Sequence, residues 1–286
     1  MSRTVYVNGE FCAEEDAKIS IFDRAFLMAD GVYEVTSVID RKLVDFEGHK
    51  LRLHRSLTEL RMQPACTDDE LLVIHRELVE RNDLDNGMIY LQITRGAPGD
   101  RDFAWPDPAA CPSGIVLFTQ AKDLVNAPTA KTGLRVISIE DQRWARRDIK
   151  TTQLLFPSFA KMEAKAQGKD DAWMTEDGLV NEGTSNNAYI VKGGTIITRH
   201  LSNDILHGIT RAAVLRFAKE AQMKVEERSF SIAEAQGADE AFCTAASAFV
   251  TPVVEIDGVA IGEGRPGPVA MRLREIYIDE SRKVAI

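Results

Sequence analysis

Cysteine and histidine are scarce in this sequence, and its 35 basic residues are fewer than its 44 acidic ones. The four cysteines are widely spaced, at Cys12, Cys66, Cys111 and Cys243. Without a C-x-x-C pair, this spacing is typical of reduced thiols and argues against a disulfide framework or a zinc site. Two of the five histidines, His49 and His54, are one residue too far apart to bind a metal from successive turns of a helix. We therefore predict no metal site.

The sequence also lacks a basic block and a long apolar run. Its net charge is −9 and its pI is near 5.2, so nucleic acid and anionic membranes are poor partners, and an anionic ligand must be held by a local cluster. No apolar stretch approaches the length of a membrane span, and the first residues, MSRTVYVNGE, lack the apolar core of a signal peptide. We therefore expect a cytoplasmic protein with neither nucleic acid nor membrane as its partner.

The chain is long enough for two domains. Its 286 residues, 44% of them hydrophobic, can bury one large core or two modest ones. The stretch VNAPTAKTG, which contains a proline, separates two series of strand-like and helix-like segments. We predict an α+β fold with a smaller N-terminal α/β domain over residues 1–120, a linker over 121–131 and a larger C-terminal α/β domain over 132–286.

The N-terminal half predicts strands followed by two helices. Alternation around Asn8-Gly9 indicates a hairpin, and GVYEVTSVID and RKLVDFE read as further strands. Leucine spacing predicts a helix in HKLRLHRSLTELRM, and a second helix begins with Thr67 and Glu70 in capping-box register. A loop over residues 97–113 is longer than a compact domain normally keeps without a use, so we interpret it as a candidate substrate wall.

Lys150 is the residue whose position most suggests chemistry. It follows a strand-like run and precedes an apolar helix, where the pattern predicts burial. A buried ammonium loses hydration, so such a lysine either pairs with a carboxylate, here the nearby Asp148, or serves as a nucleophilic amine. The local sequence leaves both interpretations open.

Three other segments are candidates for the same site. Glu182 ends a strand-like run before the small-residue turn of VNEGTSNN. A glycine precedes the helix of HGITRAAV, so the free N–H groups of Ile209 and Thr210 are suited to an anion such as phosphate. The turn in TAASAFVTP can add further backbone donors. Each segment is also compatible with an ordinary turn or a capped helix.

Taken in order, several motifs resemble those of the class IV pyridoxal-phosphate aminotransferases of fold type IV, and in particular the D-amino acid aminotransferase branch. These motifs are DRAFLMADGVYE, GHKLRL, MIYLQITRG, RWARRDIK, NEGTSNN, GITR and VTPVVEIDG. They extend from about residue 22 to residue 258 and so cover most of the chain. The resemblance implies a two-domain α+β fold with pyridoxal 5'-phosphate in the interdomain cleft. It also implies a homodimer in which a loop of one subunit lines the neighbour's site.

The resemblance further implies roles for particular residues. Lys150 matches the lysine that forms a Schiff base with the cofactor and then transfers the proton, and Glu182 matches the carboxylate that faces the pyridine nitrogen. Arg52 matches the phosphate-binding arginine, and Tyr33 matches a tyrosine on the substrate side. Backbone groups of four residues are expected to complete the phosphate site: Ile209, Thr210, Ala246 and Ser247. The released lysine must be neutral to take the α-proton, and both burial and a nearby cationic ring favour that state.

The candidate substrate loop departs from the D-amino acid enzymes. They carry an Arg-x-His that grips the substrate carboxylate, whereas this loop reads APGDRDFAWP, with Arg101 but with Phe103 in the histidine position. Arg101 can still form a fork with a carboxylate. Phe103, Trp105 and Phe249 would make an apolar wall, which suits an (R)-configured amine with a bulky apolar group. Weaker carboxylate recognition reduces selection against donors that lack the acid.

We therefore predict ping-pong transfer of an amino group from a D-amino acid or an (R)-configured amine to a 2-oxo acid such as pyruvate or 2-oxoglutarate. An (R)-selective amine:pyruvate transaminase with little D-amino acid activity is the main alternative. A branched-chain aminotransferase is a weaker match, because TTQLL follows the lysine in place of that family's tyrosine-bearing sequence. An aminodeoxychorismate lyase would share the fold, the cofactor and the lysine but would eliminate pyruvate.

Overall fold

The computed structural model describes residues 2–286, which form two compact units. The first unit contains the chain up to Asp123, with Ile149–Gln153 and Val284–Ile286; the second contains Leu124–Asp148 and Leu154–Lys283. Helices and strands occur in both units, and the predicted two-domain α+β fold is confirmed. Within the described residues, no helix is long and apolar enough to cross a membrane.

The first unit is an antiparallel sheet with helices. Its elements are β1 (Thr4–Val7), β2 (Glu10–Ala13), α1 (Arg24–Met28), β3 (Gly31–Ile39), β4 (Lys42–Leu43), α2 (Phe46–Glu59), α3 (Asp68–Arg81), β5 (Gly87–Thr94) and β6 (Gly114–Ala121). The strands pair in the order β2-β1-β6-β5-β3-β4. The predicted hairpin is confirmed, because Val7 pairs with Glu10 and Asn8 has the positive φ of 47° that its tight turn requires.

The two long helices of this unit supply its apolar core. Buried leucines of α2 and α3 pack with the isoleucines and leucine of β5, and each fully buried side chain of this kind contributes about 1.5–3 kcal/mol. The predicted capping box at the start of α3 is confirmed: the Thr67 hydroxyl accepts from the Glu70 N–H, and the Glu70 carboxylate accepts from the Thr67 N–H at 2.8 Å. Local sequence therefore sets where α3 begins.

The segment Ile149–Gln153 lies along the start of β3. The Tyr33 N–H donates to the Lys150 carbonyl at 3.0 Å, and the Thr152 N–H donates to the Gly31 carbonyl at 3.0 Å. The predicted division at residues 120 and 132 does not place Ile149–Gln153 with the first unit. The segment is joined to that unit by backbone hydrogen bonds between residues distant in sequence, which no local pattern indicates. That division stays a prediction.

The second unit is a mixed sheet with helices. Its elements are α4 (Pro128–Thr132), β7 (Leu134–Glu140), α5 (Leu155–Ala166), β8 (Asp171–Glu176), β9 (Leu179–Gly183), β10 (Asn187–Lys192), β11 (Thr195–Thr198), α6 (Ile209–Glu220), β12 (Lys224–Glu227), α7 (Ile232–Gln236), β13 (Glu240–Ala245), β14 (Phe249–Ile256), β15 (Val259–Ala260) and α8 (Pro268–Val284). The strands pair in the order β12-β11-β10-β13-β14-β7-β8-β9, and β15 pairs with β14. Strand β7 is parallel to both of its neighbours, β14 and β8. The candidate residues of this unit lie at the ends of β9 and β13 and at the start of α6.

Thr67 provides a test of the helix start. Thr67→Ala removes the hydroxyl that accepts from Glu70, and we expect the free energy of unfolding to fall by about 1 kcal/mol. Urea unfolding followed by circular dichroism measures this loss. Thr67→Ser keeps the hydroxyl and serves as the control, and equal stability of the alanine variant and the wild type would contradict the cap.

Candidate active site

Lys150 lies beside Tyr33 in the first unit. Its Nζ atom is 4.0 Å from the centroid of the Tyr33 ring, and its backbone N–H donates to Ser56 Oγ at 3.4 Å. The sequence pattern predicted burial, but Lys150 is only half-buried, because the short segment that carries it follows the start of β3. An aromatic face attracts an ammonium without neutralising it. The amine is therefore held in place and remains accessible.

The alternative partner predicted for Lys150, Asp148, belongs to the second unit. Its carboxylate accepts from Arg146, with Nε at 3.0 Å and Nη2 at 3.1 Å. This carboxylate therefore has a guanidinium partner within its own unit, in a two-point contact that suits arginine.

An aromatic ladder supports the Tyr33 ring. Tyr33 stacks on Tyr90 with 5.5 Å between ring centroids, and Tyr90 stacks on Phe118 with 4.9 Å. The three residues lie on the adjacent strands β3, β5 and β6, where such cross-strand pairs stabilise a sheet. Burial, together with the nearby Tyr33, raises the pKa of Tyr90 to about 12. The ladder restricts the movement of Tyr33 next to the lysine.

Arg52, the predicted phosphate-binding arginine, is buried in α2 against a carboxylate. Its Nε and Nη2 donate to the two oxygens of Glu34, both at 2.7 Å, and His49 Nδ1 lies 2.8 Å from Glu34 Oε2. Burial alone would raise the pKa of Glu34, but Arg52 and His49 lower it to about 2. The two-point contact fixes the orientation of the Arg52 guanidinium.

Neither Glu34 nor His49 was predicted from the sequence to belong to the site. The available signal was a carboxylate in the middle of the apolar strand GVYEV, next to Tyr33. Because side chains alternate along a strand, Tyr33 and Glu34 point to opposite faces of the sheet. Tyr33 therefore contacts Lys150 on one face of the sheet, and Glu34 contacts Arg52 on the other.

Glu182 is buried in the second unit, at the end of β9, and accepts three hydrogen bonds. Arg143 Nη1 donates to Oε1 at 2.7 Å, while Asn187 Nδ2 at 3.0 Å and the Leu206 N–H at 3.1 Å donate to Oε2. Burial raises the pKa of Glu182, whereas Arg143 and the Leu206 N–H act in the opposite direction. The three hydrogen bonds hold this carboxyl group rigidly.

Arg143 bridges two carboxylates and was not assigned a role from the sequence. Besides Glu182, it contacts Asp141, with Nε at 2.9 Å and Nη2 at 2.8 Å from the two oxygens. Burial alone would lower the pKa of Arg143, but Glu182 and Asp141 raise it, so the guanidinium stays charged. Its only sequence signal was its place in the motif RWARRDIK.

The start of α6 has the features of an anion site. Gly208 occupies the cap position without a side-chain cap, and Ile209 and Thr210 form the first turn. Thr210 Oγ1 is buried and has no hydrogen-bond partner among residues 2–286. A Cβ atom at Gly208 would lie 2.1 Å from Asn187 Oδ1, so only glycine allows this close approach. An unpaired buried hydroxyl beside free N–H groups fits a phosphate.

The turn between β13 and β14 contains Ala246 and Ser247, which are both half-buried. It closes with a hydrogen bond from the Ala248 N–H to the Ala245 carbonyl at 3.2 Å. Phe249, which follows, does not form the predicted apolar wall. Its side chain is fully buried, and the ring packs on another core side chain, Tyr277, with 5.2 Å between centroids.

Arg101 and Phe103 lie together in the loop of the first unit. The Arg101 guanidinium carbon is 4.8 Å from the Phe103 ring centroid, and Phe103 is 77% exposed. Trp105 in the same loop is half-exposed and lies under the Arg95 guanidinium. The loop therefore presents one cation and two aromatic rings at the surface of this unit.

Comparison with known proteins identifies the family. The family described as Amino-transferase class IV matches residues 31–256. A D-alanine aminotransferase of Staphylococcus haemolyticus is 36% identical over 271 residues, which is 95% of each chain. A D-alanine aminotransferase of Listeria monocytogenes serotype 4b (strain F2365) is 34% identical over 277 residues, 96% of this chain and 95% of that one.

Solved structures agree with this result. The branched-chain amino acid aminotransferase of Thermobaculum terrenum, in its PLP-form (holo-form), has a TM-score of 0.85 and 25% identity and covers 99% of this chain and 94% of its own. The branched-chain amino acid aminotransferase of Escherichia coli has a TM-score of 0.85 and 26% identity, covering 96% and 92%. The chain belongs to the class IV aminotransferases. It is a fold type IV enzyme that uses pyridoxal 5'-phosphate, as the sequence resemblance predicted.

Each unit contains groups that fit this cofactor. The first unit has the accessible amine of Lys150 and the oriented guanidinium of Arg52. The second unit has the buried carboxyl of Glu182 and the unpaired Thr210 hydroxyl at a helix N-terminus. The cofactor contains an aldehyde, a basic ring nitrogen and a phosphate. An amine suits the aldehyde, a carboxyl group suits the ring nitrogen, and a guanidinium or a helix N-terminus suits the phosphate. The assignment of each residue to its role stays a prediction.

The Glu34 pair predicts a specific dependence of stability on pH. A carboxylate whose pKa is lower in the folded than in the unfolded state stabilises the fold above its unfolded pKa, and this contribution is lost as the pH falls toward the folded pKa, here about 2. Between pH 5 and pH 3 we expect wild-type stability to fall by about 2 kcal/mol more than that of Glu34→Gln.

Urea unfolding of the cofactor-free protein at several pH values measures this difference. Glu10→Gln, at an exposed position in the same unit, is the matched control and should follow the wild type. Parallel curves for the wild type and Glu34→Gln would show that the pair does not lower this pKa.

Proposed function

We propose that the enzyme transfers the amino group of a D-amino acid or an (R)-configured amine to a 2-oxo acid such as pyruvate or 2-oxoglutarate. The observation that carries this proposal is the 36% identity to a D-alanine aminotransferase over 95% of both chains. In a ping-pong reaction the enzyme first takes the amino group from the donor and releases its 2-oxo product. The acceptor then receives the amino group at the same site.

When bound, pyridoxal 5'-phosphate supplies the electron sink for this chemistry. In our proposal, Arg52, the N–H groups of Ile209 and Thr210, and the Ala246–Ser247 turn bind the phosphate. An arginine and helix-end N–H groups each offer local positive charge, which allows an acidic protein to bind an anion.

Lys150 holds and moves the proton at its Nζ atom. The Tyr33 ring orients the amine, and the half-exposed position leaves it accessible to the α-carbon of a donor. A primary amine that is neutral when it meets the donor can take the α-proton and return it to the product. The short segment Ile149–Gln153 fixes the backbone of Lys150 alongside β3, because it is hydrogen-bonded to that strand.

Glu182 holds a proton at the pyridine nitrogen. Its three hydrogen bonds orient the carboxyl group before the cofactor binds, so little reorganisation is needed during the reaction. Arg143 supports this role because its charge remains fixed between Glu182 and Asp141. A negative charge beside the ring nitrogen keeps that nitrogen protonated.

Substrate preference depends in our proposal on Tyr33, Arg101 and Phe103. Arg101 can pair with the carboxylate of a D-amino acid, and a guanidinium makes this contact with two hydrogen bonds. Phe103 favours the alternative of an (R)-selective amine:pyruvate transaminase, because an exposed phenyl ring cannot donate to a carboxylate. The alternatives of a branched-chain aminotransferase and an aminodeoxychorismate lyase have weaker support, since the chain is 36% identical to a D-alanine aminotransferase and only 25–26% identical to the two branched-chain aminotransferases compared above.

An apolar stripe on α5 supports the proposed homodimer. Leu155 is 86%, Phe159 52% and Met162 62% exposed, and their spacing places them on one face of the helix. Exposed apolar residues in such a row are typical of an interface between protein chains.

The location in the cytoplasm that the sequence predicts stays a prediction.

The donor half-reaction tests the proposal directly. With D-alanine and no acceptor, we expect the purified holoenzyme to lose its visible cofactor absorbance and to release about one pyruvate per active site, because the amino group stays on the enzyme. L-alanine is the control and should change neither signal. A response to (R)-1-phenylethylamine but not to D-alanine would favour the amine transaminase, and no response to either donor would contradict the proposal.

Lys150→Ala tests the assigned amine. We expect turnover to fall by about a thousandfold or more, because the proton acceptor is lost. Steady-state rates and the absorbance spectrum of the reconstituted protein measure the change. Lys131→Ala, at an exposed position on α4, is the matched control, and activity of Lys150→Ala close to that of the control would remove Lys150 from this role.

A further inference from the structure

The loop over residues 97–113 has a defined path although it contains neither helix nor strand. It joins β5 to β6, and its side chains at Arg101, Phe103 and Trp105 lie at the surface. Ordering one loop residue costs about 1–2 kcal/mol of conformational entropy, so a loop of this length needs specific contacts to keep one conformation.

Arg24 makes such contacts from beneath the loop. This arginine is buried, and its guanidinium donates to the carbonyls of three consecutive loop residues: Nη1 to Asp102 and, at 3.1 Å, to Ala104, and Nη2 to Phe103 at 3.5 Å. The remaining donor, Nε, contacts Asp30 Oδ2 at 2.7 Å. A planar guanidinium can span several carbonyls in this way, whereas a lysine ammonium is a single point of charge.

Asp30 joins this arginine to a second one. Its Oδ2 atom accepts from Arg24 Nε and from Arg95 Nε, the latter at 2.8 Å. The Arg95 guanidinium lies 4.1 Å from the centroid of the Trp105 ring, and its Nη2 donates to the Leu60 carbonyl at 2.9 Å. The three residues Arg24, Asp30 and Arg95, which we call the arginine clamp, therefore hold the loop from two sides.

The clamp carries one more positive than negative charge. Both arginines are buried, and five backbone carbonyls accept from them in addition to the Asp30 carboxylate. A substitution at one residue of the clamp should therefore disturb the others, because removing one partner leaves a buried charge without its counterpart. Asp30 also immediately precedes β3, the strand that carries Tyr33.

We propose that the arginine clamp is the positioning device of the substrate loop. It fixes the backbone of residues 102–104 relative to β3 and so sets the positions of Arg101 and Phe103, which flank or lie within that stretch. The inference rests on the proposed function, in which these two side chains select the donor. Arg24 acts through the loop and does not itself contact the substrate.

Arg24→Lys is the first variant to test. It keeps the charge beside Asp30 but cannot span three carbonyls, so we expect the KM for D-alanine to rise about tenfold while kcat at saturation changes about twofold or less. The KM for (R)-1-phenylethylamine, which has no carboxylate for Arg101, should rise less, by about threefold at most, because only its contact with Phe103 is affected. Arg3→Lys is the matched control, since Arg3 also donates to a carbonyl and a carboxylate of the same unit.

Limited trypsin cleavage of the holoenzyme gives a readout that does not depend on activity. Arg101 is the only lysine or arginine among residues 97–113, so cleavage after Arg101 reports how often the loop leaves its path. We expect about tenfold faster cleavage in Arg24→Lys than in Arg3→Lys, and a smaller increase in Trp105→Leu, which removes only the ring beside Arg95. Trp105 is half-exposed, so this second variant should fold even if Arg24→Lys does not.

Unchanged cleavage in both variants, or equal KM changes for both donors, would overturn the clamp as a positioning device. Faster cleavage of the variants, combined with a wild-type enzyme that uses neither D-alanine nor (R)-1-phenylethylamine, would instead contradict the proposed function, while the hold of the clamp on the loop would stand.

Discussion

The backbone hydrogen bonds between β3 and Ile149–Gln153 are the constraint on which the candidate site depends. They join residues about 120 positions apart in the chain, such as Gly31 and Thr152. Because the contact is made by the main chain, the position of Lys150 does not rely on the contacts of its flexible side chain. Tyr33 belongs to the same stretch of β3, so the lysine and the ring beside it are set by one interaction.

Each unit contains a buried pair of arginine and glutamate in which one side chain orients the other. Glu34 orients Arg52 in the first unit, and Arg143 orients Glu182 in the second. Such pairs add little net stability, because removing two charges from water costs nearly as much as their attraction returns. Their effect here is geometric, since each pair fixes the orientation of a charged side chain, the Arg52 guanidinium in the first unit and the Glu182 carboxyl group in the second. The loop over residues 97–113 is also held by a buried arginine, because Arg24 donates to three of its backbone carbonyls.

Local rules accounted for much of the fold. The hairpin at Asn8-Gly9 and the start of α3 at Thr67 were predictable because their hydrogen bonds join residues close in sequence. Phe249 was misjudged: aromatic character does not tell whether a ring lines a pocket or packs in a core, and here it packs on Tyr277. Lys150 is half-buried, although the sequence pattern predicted burial. The reason is similar, since the exposure of a side chain depends on neighbours that are distant in the chain.

The sequence by itself determined the family, the cofactor and the α+β class, because these follow from motif order and from local periodicity. Only the tertiary structure decided which charges meet. The partners of Arg52, Glu182 and Arg24 lie on other elements, and no spacing rule specifies them. A guanidinium finds its carboxylate or its carbonyls through the packing of whole strands and helices, so these contacts exist only once the chain has folded.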